Sequence, residues 1–145
     1  MEQNKKIKLI RTAVMVAVLV FAVNLVPRIF NSEANNLIGS KYSLKERAEI
    51  MNRDCPFVID ENTRLDSVTA PGEDILQNNY TLLLEHRDNI DVEAFQNILK
   101  PEITTQLKAM PEAEDLRKTN TTLVYKYFDK DHSFVTDIVM LPGEY

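Results

Sequence analysis

The chain has one cysteine, three glycines, two histidines and fewer basic than acidic side chains, and each shortage removes a class of chemistry. With only Gly39, Gly72 and Gly143, no Gly-rich loop can cradle a phosphate. Paired cysteines and a His-x-x-x-His spacing are both absent, so zinc has no ready ligand set. Asp129, Asp131 and His132 crowd one turn, but it lacks the glycine and distal glutamate of an EF-hand loop. No metal or cofactor is expected. Lys and Arg total 17 against 22 Asp and Glu, a net −5. Nucleic-acid affinity rests on Lys and Arg neutralising phosphates, so DNA and RNA are not expected partners.

The charge is unevenly placed. Residues 1–30 carry Lys5, Lys6, Lys8, Arg11 and Arg28 against Glu2, whereas the remainder is strongly acidic. Between the basic residues runs "TAVMVAVLVFAVNLVP", with no charge from Thr12 to Pro27. Extended over residues 9–30 it is about 30 Å long as a helix, enough to cross a bilayer with Arg11 and Arg28 snorkelling at its ends. Four basic residues precede the span and none occupies 29–40, which predicts a cytoplasmic N-terminus and an exported C-terminal domain. A cleaved signal peptide is the competing reading, because Ser32-Glu33-Ala34 offers small residues. Arg28 and Phe30 before that site make it a poor cleavage region. A cytoplasmic buried helix would need a polar face that this segment lacks.

Three regions follow: residues 1–30 as basic flank and membrane helix, 31–41 as tether, and 42–145 as an exported domain large enough for a modest core. Ser43 and Glu46 form a capping box, and Leu44, Ala48 and Met51 mark one face of a helix that ends near Asp54, ahead of Pro56. "FVI" at 57–59 and "RLDSVT" at 64–69 are strand candidates, with a turn at 70–73. Tyr80, Leu82 and Leu84 alternate in a further strand. Asp91 is a candidate N-cap for a helix whose stripe runs Val92, Phe95, Leu99, Ile103, Leu107, Met110. Pro101 either kinks that helix or opens a second one. "EAEDLRK" is a short helical turn. "TTLVYKYF", "DKDH" and "SFVTDIVML" read as an antiparallel hairpin. The expected fold class is α+β: a small antiparallel sheet with helices packed on one face.

Candidate chemistry is sparse. Cys55 follows a helix end and precedes Pro56, so no helix dipole activates its thiol; a structural residue, a free thiol or an intermolecular disulfide are its open readings. A nucleophile paired with His86 or His132 is geometrically open but nothing in the sequence supports it. Asp60, Glu61 and Asp66 supply carboxylates, yet no apolar pocket isolates one for acid–base work. Asp60 and Asn62 capping backbone groups, with Arg64 pairing an acid, accounts for them. Tyr80, Tyr125 and Tyr127 could line a groove between sheet and helix, or fill the core of a small sheet. Asn79 and Asn120 match glycosylation sequons, which matter only in a eukaryotic secretory pathway.

"CPFVIDENTRLDSV", "NYTLLL", "LKPEITTQL" and "TLVYKYFDKDHSFV" together resemble a group of small bacterial proteins. In that group a Pro-apolar-Asp run (here Pro56 to Asp60) precedes Thr-x-Leu-Asp (here Thr63 to Asp66), and a Tyr-x-Tyr strand and Asp-x-Asp/Gly turn (here Tyr125 to Asp131) close the domain. The resemblance spans residues 44–140 and implies a signal peptide or single membrane helix ahead of the domain. This chain departs from the group in lacking the turn glycine and a second, later cysteine. The expectation is a non-enzymatic protein of the cytoplasmic membrane, single-pass through residues 9–30. It would have an interaction or assembly role with an envelope protein. Small-molecule or peptide binding in a sheet–helix groove is the alternative, and a Cys55- or carboxylate-dependent enzyme ranks last.

Overall fold

The computed structural model describes residues 42–111 and 113–145. The predicted membrane span, its basic flank and the tether lie outside the described residues. Among those described, no helix is long and apolar enough to cross a membrane.

The described chain runs α1 (Leu44–Met51), a 3-10 turn (Asn52–Asp54), β1 (Phe57–Val58), β2 (Thr63–Gly72), β3 (Ile75–Leu82), a second 3-10 turn (Arg87–Asn89), α2 (Val92–Ala109), α3 (Ala113–Lys118), β4 (Thr122–Phe128) and β5 (Phe134–Met140). The capping box forms as predicted. The Ser43 hydroxyl accepts from the Glu46 N–H at 3.3 Å, and the Glu46 carboxylate accepts from the Ser43 N–H at 2.8 Å. Asp91 caps α2 by accepting from the Ala94 N–H at 3.0 Å.

Pro101 does not end α2, which continues as one helix from Val92 to Ala109. The buried residues of this helix are Phe95, Leu99, Ile103 and Leu107, all four apart. Pro101 stands two residues from Leu99 and from Ile103, about 200° round the helix, so its ring faces away from the core. The missing N–H leaves the Asn97 carbonyl without its helical donor. One turn on, the Thr104 and Thr105 hydroxyls donate to the Lys100 and Pro101 carbonyls at 2.8 and 2.9 Å.

The five strands lie in sequence order, β1 to β5. The expectation of a wholly antiparallel sheet is corrected at its centre: β3 and β4 are parallel, with Tyr80 beside Tyr127 and Asn78 beside Tyr125. Between those strands the chain crosses the sheet through α2 and α3, which returns β4 to the end where β3 began. The other three pairings are antiparallel. β2 also runs through the predicted turn at 70–73. The reversal falls at Glu73–Asp74, and Ala70-Pro71 sits in a register irregularity where proline's missing donor is tolerated.

Buried residues of α1, α2 and all the longer strands merge into one core, and Arg47 of α1 pairs with Asp115 of α3 at 2.7 Å. The helices therefore share one face of the sheet. On the opposite face, register aligns Ser67, Asn79, Lys126 and Asp137 in a polar row across four strands.

β2 has a register irregularity between Leu65 and Ser67, and just beyond it Asn52 meets the backbone of Val68. The Asn52 side-chain amide donates to the Val68 carbonyl and its oxygen accepts from the Val68 N–H, both at 2.6 Å. Asn52→Ala removes both bonds and is expected to cost about 2 kcal/mol, at ~1 kcal/mol per bond. Urea unfolding checks this; the midpoint should fall with an unchanged m-value, and Asn52→Asp should lie between the two.

Candidate functional site

The three tyrosines that could have lined a groove are 2, 5 and 8% exposed for Tyr80, Tyr125 and Tyr127. Strand alternation puts all three on the helix-covered face. Tyr80 stacks on Tyr127 at 5.2 Å and on Tyr125 at 6.3 Å, and the Phe95 ring meets Tyr127 edge-on at 5.1 Å. They fill the core and line no open surface. Burial raises the pKa of all three phenols, with the Asp60 carboxylate adding to the effect at Tyr127.

Cys55 is half-buried and free, its thiol donating to the Met51 carbonyl at 3.6 Å. Burial, then the Asp54 and Asp66 carboxylates, push its pKa up, the opposite of what a nucleophilic thiolate needs. The carboxylates nearby are structural. Asp60 accepts from the Asn62 N–H at 2.7 Å, Asn62 accepts from the Leu84 N–H at 2.9 Å, and Asp66 receives both the Arg64 guanidinium and the Thr81 hydroxyl.

One cluster was not anticipated from the sequence. His86, from the loop after β3, can bring a ligand atom within 4.8 Å of Asp129 and Asp131, whereas His132 of the same acidic turn is not one of the three. His86 Nδ1 already pairs with Asp131 at 2.6 Å. The buried Asp129 carboxylate accepts backbone N–H groups from Arg87, Ser133 and Asp131 at 2.8 to 2.9 Å. These bonds, that of Arg87 first, hold its pKa below the usual carboxylate range. Its carboxylate oxygens are already engaged as acceptors in loop contacts, so the cluster works as a staple between two loops.

Among the described residues, one open feature is a groove of about 500 Å³ between α2 and β5, lined by Gln96, Asn97, Lys100, Pro101, Asp137, Ile138 and Val139. β5 is an edge strand, so its outer backbone groups face this groove. Two side-chain clamps bound it. Gln96 donates to the Thr136 hydroxyl at 2.7 Å and to the Asp137 carbonyl at 3.3 Å. Beyond the other end, Glu144 accepts from the Leu141 N–H at 2.7 Å and pairs with Lys100 at 2.9 Å. The Leu141 bond, then Lys100, lowers the Glu144 pKa. This clamp is accordingly held in place above the ordinary glutamate range and is released as pH falls through the lowered value. Sequence reasoning missed these residues because Gln96, Asn97 and Lys100 are ordinary polar positions on an amphipathic helix and Glu144 is a polar residue past the last strand. Pro101, within the same stretch of chain, was the one visible signal.

The family model of a domain of unknown function, DUF8479, matches residues 39–135. No curated protein sequence matches the chain. Among solved structures the fold is similar to a protein from Pseudomonas aeruginosa described as secreted (TM-score 0.60, 15% identity, covering 70% of this chain and 88% of that one). It is also similar to the type II secretion system pilotin AspS from Vibrio cholerae (TM-score 0.53, 9% identity, 70% and 88% covered). The pilotin EpsS from the Vibrio vulnificus type 2 secretion system is alike too (TM-score 0.55, 10% identity, 79% and 96% covered).

Two spectroscopic and chemical measurements check the buried groups. A phenol whose folded pKa is raised adds stability below its unfolded value of about 10, and that stability is lost as pH rises further. In an ultraviolet titration Tyr80, Tyr125 and Tyr127 should stay silent near pH 10 and ionise only together with the loss of circular dichroism. Alkylation of Cys55 in the folded protein should accelerate with pH above the ordinary thiol range of about 8.5, and should match a model thiol only after unfolding.

Proposed function

The chain belongs to the family defined by DUF8479, and from that premise we propose that it is a non-enzymatic accessory domain of the bacterial envelope that holds part of a partner protein. The observation that carries this reading is the fold it has in common with two secretion-system pilotins, over most of both chains. The α2–β5 groove is where such a partner would sit, since a helix, an edge strand and backbone hydrogen-bonding groups converge there. Residues 9–30 would hold the protein in the cytoplasmic membrane, residues 31–41 would serve as tether, and residues 42–145 would face away from the cytoplasm. The half-buried Cys55, with its raised pKa, and the carboxylates engaged in loop contacts give no support to an enzyme.

A second reading, a small molecule in the same groove, has the volume in its favour, because about 500 Å³ is within the range of ligand pockets. It would engage Gln96, Asn97 and Lys100, not the buried tyrosines.

Localisation tests the first reading. An alkaline phosphatase fused after Tyr145 should be active and sediment with membranes, and a cytosolic fusion would overturn it. Asn97→Arg, which fills the groove with a charged chain, should leave folding and localisation intact. It should also reduce recovery of the protein in its envelope complex on native gels. A co-purifying small molecule lost in Asn97→Arg, with no change in complex size, would favour the second reading.

A further inference from the structure

The groups along the outer side of β5 have a regular spacing. The Asp137 carbonyl and the Leu141 N–H are met from outside the sheet by Gln96 and Glu144, and strand alternation sets the backbone of residue 139 outward with theirs. The Asp137 carbonyl is met by the Gln96 amide N–H, as an incoming strand's N–H would meet it. The Leu141 N–H is met by the Glu144 carboxylate, as an incoming strand's carbonyl would meet it. Between them the Val139 N–H and carbonyl face the groove. Phe134, Val139 and Leu141 are exposed large apolar side chains on or next to this edge. At the other edge β1 is only two residues long, too short to template a strand.

From this geometry we infer that the partner segment is an extended strand with apolar residues at alternate positions. It would add to the outer edge of β5 over residues 137–141 and displace the Gln96 and Glu144 side chains that stand in for it. This rests on the envelope-docking reading above and names the form of the partner. Strand addition supplies affinity through main-chain bonds, and the exposed apolar side chains of Val139 and Leu141 supply selectivity.

The test uses the full chain in cells, with a photo-crosslinking amino acid placed in turn at Asp137, Val139 and Leu141. Positions 137 and 141 are about 13 Å apart on a strand. An added strand should therefore give crosslinks whose partner sites are four residues apart, and a helix lying alongside would separate them by about nine. Val139→Pro removes only an outward N–H and so leaves the β4 ladder intact. With the crosslinker at Leu141 it should bring the product to background, while Val139→Ala should retain it. Glu144→Ala, which removes a stand-in acceptor, should raise the yield. Helical spacing, a product unaffected by Val139→Pro in a protein that keeps its wild-type circular dichroism, or a product with a second copy of this chain would each overturn the inference. Should Val139→Pro fail to fold, the spacing alone decides. An external phosphatase fusion with no product at β5 sinks strand addition and leaves the envelope reading standing; a cytosolic fusion sinks both.

Discussion

The aromatic pile at the centre of the sheet joins parts of the chain that are far apart in sequence. Tyr80 comes from β3, Tyr125 and Tyr127 from β4, and Phe95 from the helix that connects them. Such pairs add about 0.5–1.5 kcal/mol each beyond the area they bury. Here they also fix geometry: a parallel β3–β4 pair is stable only with its crossover folded back on the same face, and the Phe95–Leu99–Ile103–Leu107 stripe is what lays it there. Once α2 is pinned over the tyrosines, its flank carrying Gln96, Asn97 and Lys100 has to lie beside β5, so the groove follows from the packing of the core.

That dependence explains what was legible in the sequence. Local devices were readable because their causes are local: the Ser43–Glu46 box, the Asp91 cap, the i, i+4 stripe of α2 and the alternation of β4 and β5. The α+β class and the single helical face followed from them. Parallel pairing was hidden because alternation states which side chains share a face but not which direction a neighbouring strand runs. The tyrosines were ambiguous for the same reason, since a core row and a groove row have one pattern. Asn52 meeting Val68 and His86 meeting Asp131 are contacts across loops, and no spacing rule anticipates them. Pro101 was visible, but its consequence was not, because only the buried face of α2 shows that the proline points outward.

The two ends of the β4–β5 unit are treated differently. At the turn, Asp129 takes backbone donors from two loops and closes the structure with an internal carboxylate. Along the edge, the outward groups are met by Gln96 and Glu144, side chains that can swing away without disturbing the core. A natural edge strand has to be blunted against chance pairing. Blunting by flexible side chains is reversible, whereas a proline or an inward charge in the strand would be permanent.

Energetics then separate protection from use. Exchanging a Gln96 or Glu144 bond for a main-chain bond changes the hydrogen-bond count very little, and a net bond is worth only about 1 kcal/mol. An incoming segment therefore gains little from the hydrogen bonds alone, and an arbitrary strand stays off. The decisive gain has to come from covering Val139 and Leu141, at about 25 cal/mol per Å² of apolar surface removed from water. A partner with apolar residues in matching alternation collects that gain and a polar one does not. The clamps that keep the edge quiet thus also set its selectivity, because they cancel the contribution every strand shares and leave the side-chain match to decide.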